Sequence, residues 1–454
     1  MRLSGKILAL LCLTCLIVGC RQEKSVQQEF PLPDTLFVGT LYSPTSFFIY
    51  KNDTLGYEYE RIMDFARSKN IHVAFRVASN MNSMLQMLAD GSVHILAYEI
   101  PETAEFKDSL THCGLSNTTY QVLVQRQTDS ILTDVTQLVG RDVFVERNSK
   151  YESRLQNLNN EIGGGINIHP FSKDTLITED LIEMVSDGDI PLAVVDSDIA
   201  RLNRTYYNNI NIDLKISFPQ RSSWAVSHTN KWLADSVNAW AETSTARSLS
   251  KELLKRYFEL SKGLPSVTFS LKPGEISPYD SIFRKYAPTI GWDWKMLAAI
   301  AYTESQFDPT VVSWAGARGI MQLMPGTARA YGLAPEEIED PECSVKAAVA
   351  SIKDLIRLFE PKVKSQDELI RFVLAAYNSG AGHILDAIAL AEKHGKDSGI
   401  WYDNVEEAVM WKSNPQYYND PVCRFGYFRG KQTVSYVPTV ENHYLNFCTK
   451  SRKK

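Results

Sequence analysis

Apolar positions along the chain follow two different rhythms. Over residues 34–262, short apolar runs alternate with amphipathic stretches. Thr35-Leu36-Phe37-Val38-Gly39-Thr40 reads as a buried strand, and Tyr59, Ile62, Met63, Phe65 and Ala66 recur at helical spacing, predicting a helix over 56–69. A strand follows over 71–77, a helix over 81–89 and a strand over 93–97. The pattern resumes at Val143 and closes with Leu192-Ala193-Val194-Val195-Asp196. Strand–helix–strand alternation predicts a parallel sheet with helices on its faces. From Tyr279 onward the strand signals fade. Helices are predicted over 279–286, 294–305, 326–331, 344–359, 366–377 and 381–394, joined tightly into an all-α domain. Gly263, Pro265, Pro273, Gly274 and Pro278 mark the linker between the two rhythms.

The first twenty residues have a third character. Arg2 and Lys6 precede an apolar run from Ile7 to Val18, too short to span a bilayer comfortably and of the length of a secretory signal core. The run ends in Leu16-Ile17-Val18-Gly19-Cys20, which resembles a bacterial lipobox. That resemblance implies lipidation of Cys20 and a lipid-anchored protein of the cell envelope, most simply on the outer membrane facing the periplasm. The alternative is an uncleaved anchor that happens to contain a cysteine. The organisation expected is therefore a signal over 1–20, a polar tether over 21–33, an α/β domain over 34–262, a linker over 263–275 and a helical domain over 276–450.

With 454 residues, several domains are expected. Apolar residues make up 44% and charged residues 22%, ordinary globular usage that argues against a disordered or fibrous chain. The net charge is −5 and no dense basic run precedes the last residues, so nucleic acid is a poor partner. Beyond the leader, Cys113, Cys343, Cys423 and Cys448 lack metal-ligand spacing; an exported protein permits disulfides, with three full pairings open. No metal and no cofactor is expected.

In the α/β domain, Val38-Gly39-Thr40-Leu41-Tyr42-Ser43-Pro44, Gly56-Tyr57-Glu58-Tyr59-Glu60, Met84 through Ser92, Ala193-Val194-Val195-Asp196 and a late helix over 232–257 together resemble the periplasmic solute-binding proteins of the polar amino-acid class. The resemblance covers half the chain and is diffuse. It implies two lobes closing over a small ligand, with Asp196 at the position of an acid for a ligand ammonium. The plain alternative for Asp196 is a strand-end turn residue. Relatives often carry an arginine for the ligand carboxylate soon after the strand near Leu96. Here Glu99-Ile100-Pro101-Glu102-Thr103-Ala104-Glu105-Phe106 contains none, so ordinary amino-acid binding is in doubt. Ser149 opens a helix and is either an N-cap or part of an anion site.

The helical domain carries the sharper signal. Leu297, Ala301 and Glu304 share one helical stripe, which puts a carboxyl at the end of an apolar face, where a proton is more readily held. On that pattern alone, a solvent-facing glutamate is the simpler reading. Then come Glu304-Ser305, Gly316-Ala317-Arg318-Gly319-Ile320-Met321-Gln322-Leu323-Met324-Pro325, Ala375-Ala376-Tyr377-Asn378-Ser379-Gly380 and Gln432-Thr433-Val434-Ser435-Tyr436-Val437, in that order. This ordered set resembles the catalytic domain of the goose-lysozyme-like soluble lytic transglycosylases, specifically over residues 276–450. The resemblance implies a lysozyme-like fold, peptidoglycan strands as substrate, Glu304 as the acid/base, and a substrate site drawn from Ser305, Gly319, Met321, Gln322, Tyr377, Asn378 and Tyr436. Core packing competes for Met321, and capping competes for Ser305 and Asn378. Gln432 departs from the Glu-Thr that relatives often carry. Expected chemistry is cleavage without water, giving 1,6-anhydro ends. The alternatives are a hydrolytic muramidase and a receptor whose helical domain only binds peptidoglycan. The upstream domain is then expected to sense a murein peptide, or to act only as a spacer.

Overall fold

The computed structural model describes residues 33–43, 45–51, 53–103, 106, 109–127, 130–171, 178–259, 269, 271 and 274–452. The signal, Cys20, most of the tether and most of the linker lie outside them.

Two five-stranded sheets build the α/β part. The first has the order β4-β1-β5-β12-β6, from β1 (Thr35–Leu41), β4 (His72–Ala78), β5 (Ile95–Pro101), β6 (Leu110–Thr119) and β12 (Gln220–Ser227). The second runs β11-β7-β10-β8-β9, from β7 (Gln121–Arg126), β8 (Asp142–Glu146), β9 (Asn167–Phe171), β10 (Leu192–Asp196) and β11 (Ile210–Asn211). Both sheets are mixed, which corrects the all-parallel expectation. β1 runs parallel to β4 and β5, while β12 pairs antiparallel with β5 and β6; in the second sheet β7 is antiparallel to β10. The reason is visible in the chain path. β6 and β7 run in succession with Tyr120 between them, carrying the chain from one lobe to the other, and β12 returns it. Each sheet has its own core, Leu96, Ile100 and Ala225 in one lobe and Leu123, Val143 and Val194 in the other.

The predicted late helix is two helices, Lys231–Ala241 and Ser244–Phe258, because Thr243 breaks the first and caps the second through Ala246 N–H. A small hairpin, β2 (Phe48–Tyr50) and β3 (Asp53–Leu55), projects from the first lobe.

The helical part matches the expected helices closely, with Trp294–Ser305 as predicted and Gln366–Ser379 extending two residues further. Three helices were not expected: Glu406–Trp411, Pro415–Tyr418 and the long Gly430–Arg452. The last contains Pro438 and many polar positions, which hid its period. Leu297, Ile300, Phe372, Ala375, Val437 and Val440 are fully buried in one core shared by its central helices. Cys113, Cys343 and Cys423 are free thiols, and no helix among the described residues is long and apolar enough to cross a membrane.

Candidate active site

Glu304 occupies the last turn of Trp294–Ser305, a helix whose start is capped by Asp293 through Lys295 N–H at 3.0 Å. Burial of Met296 through Ala301 pins the helix in the core. Its side chain is only 8% exposed. The chain leaves the helix through two non-glycine residues with positive φ, Gln306 at 52° and Phe307 at 68°. Such backbone is sterically disfavoured and persists where packing enforces it.

Two groups reach the carboxylate. Tyr436, from the long last helix, donates its hydroxyl to Oε1 at 2.9 Å. Burial, with Glu304 close by, raises the Tyr436 phenol well above its ordinary range, so it stays a proton-bearing donor. Lys51, from the turn of the α/β domain's hairpin, places Nζ 3.4 Å from Oε1 and 3.2 Å from Oε2. Only 8% of the Lys51 side chain is exposed.

The other expected residues divide into two sets. Gln322, Tyr377, Asn378 and Tyr436 border the cavities on either side of Lys51. Gln322, at φ 47°, donates Nε2 to the carbonyls of Val311 and Gly319. Tyr377 donates to Met321 O at 2.7 Å, and Asn378 Oδ1 accepts from Thr433 at 2.7 Å. Ser305, Gly319 and Met321 face away from this space. Ser305 is fully buried and donates to Ala301 O and Ile320 O, tying the Glu304 helix to the 316–325 loop rather than facing the groove. The Met321 side chain is wholly in the core; only its carbonyl faces Tyr377. Gly319 is needed for packing, because a Cβ there would lie 2.2 Å from Ile338 O. Gln432 is exposed at the rim beside Glu304.

The hairpin divides the groove. On one side lies a cavity of about 370 Å³ bordered by Asp53, Gln322, Thr327, Tyr331 and Tyr377. On the other is one of about 280 Å³ bordered by Glu304, Trp314, Asn378, Gln432 and Tyr436, in which Glu304 is the only carboxylate among the lining residues. Lys51 borders both. Backbone contacts fix the hairpin there: Lys51 N–H donates to Ser379 O at 3.0 Å, and His383 Nε2 donates to Ile49 O at 2.9 Å. Asp53 accepts from the backbone N–H of Gly326, and burial raises its pKa above the ordinary carboxylate value. Sequence reasoning missed Lys51 entirely. Its available signal was a short polar turn between Tyr50 and Asp53, which carries no catalytic pattern of its own.

In the α/β part, Asp196 borders the space between the lobes, where Oδ2 accepts from Tyr151 at 3.0 Å and pairs with Lys150 at 2.6 Å. It makes no side-chain cap for the helix that follows it. Ser149 is an N-cap: Oγ accepts from Glu152 N–H at 3.2 Å and donates to Glu146 O at 2.5 Å. It is not among the residues bordering that space.

With the geometry in view, residues 281–400 match the family model of the transglycosylase SLT domain. The match falls within the helical part, which follows an α/β half of two mixed sheets. Over most of its length the chain is similar to the membrane-bound lytic murein transglycosylase F of Pseudomonas fluorescens Pf0-1, at 28% identity over 94% of this chain and 88% of the relative. The protein of that name from Shewanella pealeana aligns at 28% over 97% and 91%. A substrate-binding domain of a putative amino acid ABC transporter from Streptococcus pneumoniae superposes on 49% of this chain and 99% of its own, at 14% identity and a TM-score of 0.43.

Proposed function

We propose that the chain is a peptidoglycan lytic transglycosylase of the cell envelope, with Glu304 as its single acid/base. The observation carrying this reading is the setting of Glu304: one carboxyl, held by a phenol donor, with no second acid among the described residues bordering its side of the groove. Hydrolysis with two carboxylates needs a second acid as nucleophile or as base for water. A lone carboxyl suffices when the attacking group belongs to the substrate. Glu304 protonates the glycosidic oxygen and the bond to the anomeric carbon breaks. The carboxylate then takes the proton of the same sugar's C6 hydroxyl, whose oxygen closes on that carbon. One ether replaces another and no water is consumed. The N-acetyl oxygen of the sugar stabilises the cationic centre meanwhile, and the tethered hydroxyl outcompetes water through its effective concentration. Tyr436 orients the carboxylate, while Asn378 and Gln322 border the space for the sugars. Digestion of purified murein followed by mass spectrometry tests the reading. Fragments lighter by one water than hydrolysis products are expected; reducing ends instead would establish a muramidase.

The α/β domain, in this reading, regulates the cut by binding a murein peptide between its lobes. Lys51 supports it, because a lysine from that domain holds the acid and its hairpin stands where a glycan strand must pass. A strand is cut only when the hairpin leaves, and a ligand drives that shift by binding the two arrangements unequally. Activity assays with and without added murein peptide test this; no change at saturation would leave the domain as a spacer. Lipidation of Cys20, with outer-membrane anchoring, completes the proposal. Cys20→Ser is expected to release the protein or leave an unprocessed precursor, and normal processing with membrane retention would refute it.

A further inference from the structure

The wall of the groove on the Glu304 side carries an aromatic ring that stands outside the motif blocks. Trp314, two residues before Gly316, is half-buried and borders the cavity of about 280 Å³ together with Glu304. Apart from Glu304 and Lys51, which pair with each other, no described residue lining that cavity is charged. Its neutral polar groups include the hydroxyls of Thr303, Ser313, Ser435 and Thr439 and the amides of Asn378 and Gln432. A flat apolar ring fringed by uncharged hydroxyls and amides suits a pyranose. The C–H face of such a sugar packs on an aromatic ring while its rim takes hydrogen bonds. The cavity on the other side of Lys51 differs in chemistry, with the carboxylates of Asp53 and Asp354 among its lining.

Local structure fixes the ring in place. Ser313-Trp314-Ala315-Gly316 is a tight turn, closed by Gly316 N–H on Ser313 O at 2.9 Å. Ser313 N–H donates to Ala317 O at 2.9 Å, and Ser313 Oγ accepts from Ala317 N–H at 3.0 Å. Gly316 supplies the left-handed backbone at φ 88°, and the buried Ala315 and Ala317 anchor the turn in a core shared with Phe48, Tyr257 and Met324. A ring on so fixed a turn loses little freedom when it meets a ligand. Rings of the α/β domain pack on the indole: Phe48 is stacked at 6.2 Å, Tyr50 is tilted at 5.7 Å, and Tyr257 stands edge-on at 5.9 Å. Phe48 and Tyr50 belong to the hairpin that carries Lys51. Departure of that hairpin takes two of the three rings away and leaves the indole with apolar surface to cover.

We infer that Trp314 is the stacking platform for a sugar ring of the glycan strand beside the bond that is cut, and that Phe48 and Tyr50 hold the place of that sugar while the hairpin is docked. The inference names a substrate-binding side chain for the proposed transglycosylase and rests on the groove being a glycan site. It gives Lys51 and Trp314 opposite parts: the lysine covers the acid, and the tryptophan serves the strand once the hairpin has left.

Steady-state cleavage of glycan strands freed of their stem peptides tests it on the full chain, with KM and kcat read separately. The Lys51→Ala protein is the reference, because a loosened hairpin by itself lowers the apparent KM and would mask a lost platform. In that background Trp314→Leu, apolar but without a flat face, is expected to raise KM by about tenfold with kcat within about twofold, the signature of binding lost equally before and during the reaction. Trp314→Tyr keeps a ring and is expected to return KM to within about threefold of the reference. An unchanged or lower KM in Trp314→Leu would overturn the platform and leave Trp314 as a seat for the hairpin alone. If Trp314→Leu does not fold, fluorine NMR decides, on the Lys51→Ala, Glu304→Gln protein labelled with fluorotryptophan. The resonance missing from the Trp314→Tyr spectrum is expected to shift as strands bind; one that stays fixed while bound strands sediment with the protein would overturn the inference. Release of reducing ends with the same KM pattern would sustain the platform while ending the transglycosylase reading. Neither cleavage nor binding of strands by any form would end both.

Discussion

The groove and the cleft both hold buried carboxylates, and the chain treats them in opposite ways. Glu304 in the groove is a lone acid served by two donors from different domains, the Tyr436 hydroxyl and the Lys51 ammonium. Among the described residues of the cleft, Asp196 and Asp198 each keep an oxygen without a partner, and Glu99 accepts from Asn117 at 2.6 Å. A buried charge left unpaired costs folding free energy, whereas one given a partner is held in a single geometry. The difference teaches what each site is for in this arrangement. The groove is occupied by the chain itself, and the cleft retains buried acceptors that no described residue fills.

The hardest test of the comparison is at its catalytic half. Glu304→Gln preserves the shape of the acid and its hydrogen bond from Tyr436 but cannot cycle a proton. Turnover of murein should fall by at least about 10²-fold, the usual scale of acid–base catalysis. A folded variant with near-normal release of anhydro-ended fragments would remove Glu304 from its role.

The second test removes the internal cation. Lys51→Ala takes the ammonium from both Glu304 oxygens, leaving Oε1 with the Tyr436 hydroxyl, and opens the turn that separates the two halves of the groove. Basal turnover without added ligand is expected to rise, by about three- to tenfold for a hairpin that still docks through its backbone. Fragment release measured with the two proteins side by side decides it. Unchanged or lower turnover would mean that Lys51 supports the site rather than blocking it.

How much of this contrast was legible in sequence differs between its halves. Glu304, Gln322, Tyr377, Asn378 and Tyr436 stand in ordered motif blocks, so the groove could be read from four short stretches. Within those blocks the motif could not separate Gln322, which borders the groove, from Met321 beside it, which is core. One residue of register around a positive φ decides that, and the motif does not encode it. Helix periods located Trp294–Ser305 because its face is strongly apolar. They missed Gly430–Arg452, where Pro438 and polar residues blur the stripe. The parallel-sheet expectation failed because strand runs do not reveal direction, and β12 returns antiparallel after more than a hundred residues. Lys51 was illegible for a different reason. Its contact with Glu304 exists only where two separately coded domains meet, and neither domain's own pattern marks it.

A third test weighs the cleft. Glu99, faced by Asp198, Glu58, Arg61 and Asn117, has its folded pKa raised from an ordinary 4.5 to about 8. A carboxyl whose pKa is raised on folding binds more protons in the folded state, so stability falls as pH rises between those values. Glu99→Gln removes that loss. It should be more stable than the parent at pH 8, by an amount on the order of 1–3 kcal/mol, and nearly equal to it at pH 4. Urea denaturation at the two pH values measures it. A variant less stable at pH 8 would show that the Glu99 carboxylate is already compensated and that the cleft is not short of a cation.

The smallest expected effect lies between the two sites, at His383. Its Nε2 donates to Ile49 O of the hairpin, while its ring stacks on Phe428, next to Tyr427 of the cleft wall. Burial, and then the Lys412 cation, lower its pKa well below the ordinary 6.5, and Nδ1 has no partner among the described residues. Charging the ring would put an unpaired N–H in a buried site beside Lys412, whose own charge is met by Asp386. The sign follows from the depressed value. The folded form stays neutral below pH 6.5 while the unfolded chain takes up a proton, so this stability is present above 6.5 and lost as pH falls. His383→Gln, keeping a donor toward Ile49 O, should lose less stability than the parent between pH 6.5 and 5, by about 1–2 kcal/mol. If both proteins lose stability equally over that range, His383 is not held neutral. The joint between the cleft wall and the hairpin would then be looser than its hydrogen bond and ring stack imply.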